Sequence, residues 1–261
     1  MVNLHEATVV FYPGTPDEKV ALDRLSLTLN EGSFTTVVGT NGSGKSTLLN
    51  VLAGSLTPRS GRLSVDGTDI TAWPVHRRSA LVSRVFQDPM LGTAPTLTVE
   101  ENLAMAQMRG KTRTLAMALD RKRRERFAQR LAAFGLGLEK RMTTPAGMLS
   151  GGQRQVLALI MATLDAPRLL LLDEHTAALD PRTAALVMDA TQQVVSSQRL
   201  TTLMITHNMQ HAVDHGDRLL MMEAGRIKLD VAGSEKAGLG VNDIVRRFGA
   251  AADHVLLQTA A

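Results

Sequence analysis

The 261-residue sequence contains no cysteine, one tryptophan, one tyrosine and six phenylalanines. The absence of cysteine excludes a disulfide scaffold and any metal site built on thiolates. Because aromatic residues are scarce, a surface for stacking bases is disfavoured, and we expect no nucleic-acid partner. No segment reaches the roughly 18 apolar residues of a membrane-spanning helix, and the N-terminus lacks the pattern of a signal peptide. We therefore expect a cytoplasmic protein, whose net charge of +4 does not by itself select a partner.

The segment 34–52 (FTTVVGTNGSGKSTLLNVL) runs from a β-branched stretch through a glycine-rich turn into a helical pattern. It matches the P-loop motif G-x-x-x-x-G-K-[ST], in which backbone N–H groups surround phosphates and the following helix adds its dipole. We expect Lys45 to reach the β and γ phosphates and the Ser46 hydroxyl to bind Mg²⁺. The predicted phosphate site comprises Gly39, Asn41, Gly42, Ser43, Gly44, Lys45, Ser46 and Thr47.

Three segments have the alternating pattern of antiparallel hairpins. They are residues 4–29, residues 63–70 around Asp66 and Gly67, and residues 219–231 around Ala224 and Gly225. An Asp-Gly pair is a strong signal for a two-residue hairpin turn. The P-loop helix between the first two hairpins is predicted to end at Gly54, a residue type that often terminates helices.

Phe11 and Tyr12 stand just before the turn of the first predicted hairpin. An aromatic ring at this place could stack on a purine ring. The alternative is an ordinary strand side chain at the edge of a sheet. The residue pattern leaves the two interpretations equally open.

Polar residues follow three predicted strands at the point where each strand ends. The strands 80–86, 169–172 and 201–206 are followed by Gln87, by Asp173 with Glu174, and by His207. Since ligands bind at the carboxyl ends of parallel strands, Asp173 suits a metal ion and Glu174 suits orienting or deprotonating an attacking water. Gln87 is either part of this site or a loop residue without a role. His211 and His215 continue a four-residue repeat from His207, but no further ligand completes a metal site.

The character changes to helix between residues 90 and 166. Thr98 and Glu101 form a capping box that begins one helix, and Ser150 and Gln153 form another around two glycines. This second capping box is either a second phosphate cradle or simply the cap of a buried helix.

Two further segments carry weaker signals. Residues 109–113 and 121–126 are rich in arginine and lysine, and we interpret them as a solvated helix face rather than as a patch for acidic lipid or a partner. The last thirty residues are predicted to hold one short helix, 242–248.

With these motifs the chain resembles the ATP-binding-cassette (ABC) family over nearly its full length. GTNGSGKST looks like its Walker A motif, LSGGQ ending at Gln153 its signature, LLLLDE ending at Glu174 its Walker B motif, and AALD ending at Asp180 its D-loop. Gln87 falls at the Q-loop position and His207 at the switch-histidine position. Tyr12 is similar in placement to the adenine-stacking aromatic, with Phe11 as the alternative. His175 stands where many members have proline.

The resemblance implies an α/β fold, a P-loop NTPase RecA-like core with an N-terminal antiparallel β subdomain and an inserted α-helical subdomain. One ABC ATPase domain would span 1–261, with the core at about 1–87 and 166–232, the helical subdomain at about 88–165, and a tail at 233–261. It also implies ATP and Mg²⁺ as ligands. The implied catalytic residues are Glu174, as general base, His207 and Gln87. The implied metal ligands are Ser46, Gln87 and Asp173. The nucleotide would also contact a further set of residues, several of them from the second subunit of a head-to-tail dimer: Tyr12, Ser150, Gly151, Gly152, Gln153 and Asp180.

Within the family, the segment beginning VFQDP and the segment DEHTAALDP look like the ATPases of bacterial solute importers. The chain is similar to a group thought to work with permeases of the branched-chain amino-acid type. The implied partners are a second copy or a homologous ATPase subunit, integral-membrane permease subunits and, indirectly, a periplasmic or extracellular substrate-binding protein, at the cytoplasmic face of the inner membrane. Two alternatives stay open, namely a soluble ABC ATPase acting on nucleic acid, the ribosome or cluster assembly, and the ATPase of a lipid or lipoprotein exporter.

Overall fold

The computed structural model describes residues 1–111 and 119–248. Its strands and helices, in chain order, are β1 (Val2–Phe11), β2 (Lys19–Leu29), β3 (Phe34–Gly39), α1 (Lys45–Ala53), β4 (Ser60–Val65), β5 (Thr68–Asp69), α2 (Val75–Arg78), β6 (Val82–Val85), α3 (Val99–Gln107), α4 (Arg121–Ala132), α5 (Gly151–Thr163), β7 (Leu169–Asp173), α6 (Pro181–Gln198), β8 (Thr202–Ile205), α7 (Met209–Asp214), β9 (Arg218–Glu223), β10 (Arg226–Ala232), α8 (Gly233–Ala237) and α9 (Val241–Phe248). Short 3₁₀ turns occupy residues 89–91, 138–140 and 146–148.

The strands form two sheets. An antiparallel sheet has the order β2-β1-β4-β5, and a six-stranded sheet has the order β10-β9-β3-β8-β7-β6. In the larger sheet the strands from β9 to β6 run parallel, and β10 pairs antiparallel to β9. All of β3 is buried, as are residues 169–172 of β7, which explains their continuous apolar sequences.

The helix α1 lies between the two sheets, where Leu48, Leu49 and Leu52 pack against both. Successive side chains of a strand point to opposite faces of its sheet. In β7, Leu169 and Leu171 accordingly join the core around α1, whereas the two leucines that alternate with them join a second core built with α3, α5 and α6. The P-loop helix is thus fixed on one face of the sheet, and the helices α5 and α6 cover the other.

The local signals read from the sequence are confirmed. Both hairpin turns predicted at dipeptides have positive φ at each central residue: Asp66 (+49°) with Gly67 (+79°), and Ala224 (+47°) with Gly225 (+76°). The helix α1 ends at Gly54 in the left-handed conformation, and α3 begins with the predicted capping box.

Several boundaries differ from the prediction. The strand predicted at 80–86 forms only over the four residues of β6. The segment 90–166, predicted to be helical, alternates helices with 3₁₀ turns and loops. The prediction of one short helix in the last thirty residues is wrong, because α8 precedes α9. Its Lys236 is buried and donates hydrogen bonds to the carbonyls of His215 and Gly216, a tertiary contact that no local pattern reveals.

Part of the first basic segment, residues 112–118, and the end of the chain, 249–261, lie outside the described residues. Among the helices that the structure does describe, none combines the length and the apolar character needed to span a bilayer.

Candidate nucleotide site

The P-loop fits tightly between the two sheets at its glycines. Gly39 has φ +154° and Gly44 has φ +105°, and a Cβ atom would lie 2.3 Å from the Met222 carbonyl oxygen at the first and 2.5 Å from the Ala21 carbonyl oxygen at the second. Only glycine fits at either position. No side chain caps α1 at Gly44, so its first backbone N–H groups form an anion-binding end without competition from a cap.

The Lys45 ammonium lies inside the loop that it follows. Its Nζ donates hydrogen bonds to the carbonyl oxygens of Gly39, at 2.7 Å, and Thr40, at 3.0 Å. Burial lowers the pKa of Lys45, and the negative charge of Glu174 opposes that shift. A positive charge is therefore held at the bottom of the loop, where phosphate groups of a nucleotide would be bound.

A pocket of about 170 Å³ opens above this lysine. It brings six of the predicted P-loop residues together with the residues that follow β7 and β8. Its lining is Phe11, Lys19, Ala21, Asn41, Gly42, Gly44, Lys45, Ser46, Thr47, Glu174 and His207. The cradle that glycine alone can form, with a buried ammonium at its base, fits a nucleoside triphosphate.

The structure separates the two aromatic candidates. Phe11 lines the pocket, whereas Tyr12 lies beyond the end of β1 and its side chain is 68% exposed. Lys19, which the motifs did not indicate, lines the pocket because it pairs with Phe11 across the β1–β2 hairpin. The hairpin register was the signal that could have found it.

Glu174 and His207 meet at the ends of two adjacent strands. Asp173 on β7 is paired in register with Ile205 on β8, so the residues that follow come together. His207 Nε2 lies 2.6 Å from Glu174 Oε1. Glu174 has φ +46°, and its N–H donates to the Ile205 carbonyl at 3.1 Å. A non-glycine residue in this conformation is strained, and such strain concentrates at functional sites.

Asp173 is engaged by an arginine. Arg84 Nη2 lies 2.5 Å from Asp173 Oδ2, and Arg84 Nη1 lies 2.8 Å from the Asn50 side-chain oxygen on α1. The Ser46 hydroxyl lies one helical turn before Asn50 on α1. A hydroxyl and a carboxylate are the hard oxygen donors that Mg²⁺ prefers, so these residues fit that ion. Gln87 is exposed and does not line the pocket.

The predicted signature residues lie elsewhere on the chain. Ser150 Oγ accepts from the Gln153 N–H at 3.3 Å, and Gln153 Oε1 accepts from the Ser150 N–H at 3.3 Å, so the capping box of α5 is formed. A Cβ on Gly152 would lie 2.2 Å from Thr183 Cγ2, which shows how closely α5 meets α6. The lining of the described pocket includes none of Ser150, Gly151, Gly152, Gln153 and Asp180.

His175 follows Glu174 in the sequence, and its side chain is buried. Its Nε2 lies 2.9 Å from Thr191 Oγ1, and the Thr191 hydroxyl lies within hydrogen-bonding distance, 2.8 Å, of the Val187 carbonyl. Burial lowers the pKa of His175 to about 3, and the nearby His211 and His215 add to the shift. Within residues 1–111 and 119–248, no group of three or more His, Asp or Glu side chains could hold a metal ion.

The sequence and the fold were compared with those of known proteins, and the matches belong to one protein family. The model of the family described as ABC transporter matches residues 22–177. The tyrosine transport ATP-binding protein of Clostridioides difficile (strain R20291) is 45% identical over 226 residues, which cover 87% of this chain and 90% of that protein.

Two further relatives are longer than the matched region. The methionine import ATP-binding protein of Corynebacterium efficiens is 35% identical over 231 residues, covering 87% of this chain and 61% of that protein. The spermidine/putrescine import ATP-binding protein of Shigella flexneri is 36% identical over 220 residues, covering 82% of this chain and 53% of that protein.

Solved structures agree on the fold. A dimeric ATP-binding cassette in a post-hydrolysis state, bound to ADP and Pi, matches with a TM-score of 0.75 and 26% identity over 89% of this chain and 98% of that chain. The ADP conformation of a cassette from an ABC transporter matches with a TM-score of 0.78 and 25% identity over 98% of each chain. The predicted α/β P-loop NTPase fold is confirmed.

Proposed function

The chain belongs to the ABC transporter family of ATPases, and we propose that it is the ATP-binding and ATP-hydrolysing subunit of a bacterial importer for a small solute such as an amino acid. The observation that carries this proposal is the meeting of Lys45, Glu174 and His207 in one pocket. A phosphate-binding cation and a carboxylate beside an imidazole are the groups that hydrolysis of a phosphoanhydride needs.

The residues have distinct roles in the proposed reaction. The Glu174 carboxylate accepts a proton from the attacking water, whose oxygen then bonds to the γ-phosphorus while ADP leaves. His207, held against Glu174 at 2.6 Å, orients the γ-phosphate. Lys45 and the N-terminus of α1 hold the β and γ phosphates. Gln87, which does not line the described pocket, is proposed to reach the nucleotide complex from the loop after β6, and Phe11 takes the aromatic position beside the base.

Mg²⁺ is the proposed metal, held by the Ser46 hydroxyl, by Asp173 directly or through water, and by Gln87. When bound, this ion neutralises charge on the β and γ phosphates. The oxygen donors of Ser46 and Asp173 support the assignment.

Each site is proposed to be completed by a second subunit, either another copy of this chain or a homologous ATPase. In its own chain the signature segment opens α5 away from the pocket, with Gly151 and Gly152 leaving the backbone bare. A head-to-tail dimer supplies Ser150 to Gln153 and Asp180 to the partner's P-loop. The dimeric state of the matched cassette bound to ADP and Pi supports this arrangement.

The remaining partners follow from the transport names of the relatives. We propose that integral-membrane permease subunits receive the closure of the dimer, at the cytoplasmic face of the bacterial inner membrane, and that a periplasmic or extracellular binding protein delivers the solute. The division into a core (1–87 and 166–232), a helical part (88–165) and a tail (233–261) within one ABC domain belongs to the same proposal. The helices α3, α4 and α5 share one hydrophobic core with α6 and the strands β7 and β8, so the helical part packs directly on the proposed catalytic core.

The proposed solute is an aromatic amino acid. The tyrosine transport relative supports this choice, because it is 45% identical and matches nearly end to end, whereas the methionine and polyamine relatives are about ten percentage points less similar. Substrate choice resides in other subunits, so the test must include them.

The decisive experiment reconstitutes this chain with candidate permease and solute-binding proteins from the same genome into lipid vesicles. We expect ATP hydrolysis to be stimulated by binding protein loaded with tyrosine and uptake of labelled tyrosine to require ATP, with methionine and spermidine as comparison solutes. Stimulation by another solute would overturn the choice of solute. Copurification with nucleic acid or ribosomes, or lipid release in place of uptake, would overturn the importer.

A further inference from the structure

We propose that Arg84 is a positioning residue that holds the Asp173 carboxylate in a fixed place relative to the P-loop helix α1. The inference rests on the proposed function in one respect, namely that Asp173 serves the metal site of a nucleotide complex. Arg84 belongs to none of the family's motifs described above, and it lies on β6, outside the pocket lining.

The contacts of Arg84 join three elements. From β6 its guanidinium reaches Asp173 at the end of β7, at 2.5 Å, and Asn50 on α1, at 2.8 Å. Its Cζ atom also lies over the Phe86 ring, 4.8 Å from the centroid. The planar fork of an arginine fixes both partners in direction as well as in distance, which a single ammonium cannot do.

The ion pair between Arg84 and Asp173 is largely buried. The side chains of Arg84 and Asp173 are only 16% and 18% exposed, and Arg84 Nε is buried without a hydrogen bond to any described residue. Burying charges costs free energy that a single ion pair often fails to offset. An arginine kept here at such a cost is better explained by the placement of Asp173 than by stability alone.

Arg84, Asn50 and Asp173 together form a clamp. The position of Asn50 on α1 connects this clamp to the proposed metal site. Asn50 follows Ser46 by one turn of α1, so the two side chains share a face of the helix. By holding Asn50 and Asp173 on one guanidinium, Arg84 sets the spacing between the two proposed oxygen donors, Ser46 and Asp173. Partners that orient metal ligands from outside typically contribute 10- to 100-fold in metal affinity.

The test measures metal binding to the full-length protein directly. Mn²⁺ replaces Mg²⁺ as the probe, and free and bound Mn²⁺ are resolved by electron paramagnetic resonance in the presence of saturating ADP. We expect Arg84→Gln to weaken Mn²⁺ binding about tenfold. Its affinity for ADP, measured in EDTA without metal, should stay within about twofold of the wild-type value. Arg84→Lys should bind Mn²⁺ more tightly than Arg84→Gln but less tightly than the wild type. Arg62→Gln is the matched control, because Arg62 pairs with Asp69 at 3.1 Å on the surface.

A double-mutant comparison separates the clamp from a general structural effect. Asn50→Ala should weaken Mn²⁺ binding in the wild-type background and have no further effect in Arg84→Gln, since the contact is already lost. Full, independent effects of the two changes would overturn the proposal. Where Arg84→Gln fails to fold, as judged by circular dichroism, Arg84→Lys and Asn50→Ala carry the same comparison.

The clamp and the proposed function fail in different ways. Unchanged or tighter Mn²⁺ binding by Arg84→Gln, together with weaker binding by Asp173→Asn, would overturn the clamp and leave the metal site standing. If wild type bound no Mn²⁺ with ADP, or if Asp173→Asn bound it normally, the metal assignment would fall and the clamp with it.

Discussion

His207 Nε2 and Glu174 Oε1 lie 2.6 Å apart, although the two residues are separated by the whole of α6 and β8. The contact exists because β7 and β8 are neighbours and end at the same edge of the sheet. It makes Glu174 the carboxylate whose removal should affect chemistry rather than binding.

Glu174→Gln is therefore expected to lower the rate of ATP hydrolysis by a factor of about 10² to 10⁴, the range usual for loss of a general base. The affinity for ATP should stay within about threefold, since the P-loop contacts remain. Phosphate release and equilibrium binding of labelled ATP measure the two effects. Glu31→Gln, an exposed change outside the pocket, is the control; a Glu174→Gln protein that hydrolyses ATP normally would remove the assignment.

Phe11→Ala should weaken ATP binding about tenfold, because a stacked aromatic ring contributes roughly 0.5–1.5 kcal/mol beyond its buried area. Tyr12→Ala should change the affinity less than twofold, since Tyr12 lies outside the pocket lining. Binding of a fluorescent ATP analogue compares the neighbouring variants directly. The reverse order of effects would return the stacking role to Tyr12.

Arg78→Met is expected to lower the free energy of unfolding by about 3–5 kcal/mol, because each buried carbonyl left without a donor costs about 1–3 kcal/mol. Arg78 is 1% exposed, and its guanidinium donates to the carbonyls of Val51, Thr71 and Trp73, at 2.6, 2.6 and 3.1 Å, so the change leaves acceptors at the end of α1 and in the loop after β5 without a donor. Denaturant unfolding measures the loss. Arg77→Met is the neighbouring control, where only an exposed contact with Trp73 is lost, and an equal effect there would contradict the explanation.

His175 should make stability depend on pH. Because its pKa is about 3 when folded and near 6.5 when unfolded, the unfolded chain takes up the proton first as the pH falls. Its contribution is present above about pH 6.5 and is lost progressively down to about pH 3. Burial lowers the pKa of His211 and His215 as well, so they act in the same direction.

The contribution of His175 is isolated with His175→Gln. Between pH 7 and pH 5, the free energy of unfolding of the wild type should fall by about 2 kcal/mol more than that of the variant. Urea unfolding at a series of pH values gives both curves. Parallel curves would mean that His175 is not held neutral in the folded protein.

The sequence predicts those parts of the molecule that depend on neighbours along the chain. The turn at Asp66 and Gly67, the end of α1 at Gly54 and the capping box at Ser150 each need only a few residues, and each is formed. Lys19 beside Phe11 escaped prediction because it depends on the register of two strands.

Long-range contacts account for the other omissions. The Arg84 contact with Asp173 joins residues 89 positions apart, and the helix α8 depends on Lys236 reaching the carbonyls of a preceding loop. No periodicity in a single sequence encodes such pairs. The pattern left Tyr12 and Phe11 as alternatives for a related reason, since one residue of register decides which side chain faces the pocket.

The alternation of side chains along β7 assigns its four buried leucines to two different cores. Leu169 and Leu171 contact the core around α1, while Leu170 and Leu172 contact the core around α5 and α6. Residues of β3, β6 and β8 divide between the same two cores, so the central sheet as a whole separates them. A change of side-chain volume at Leu169 or Leu171 is therefore expected to disturb first the packing around the P-loop helix, and one at Leu170 or Leu172 the packing around α5 and α6.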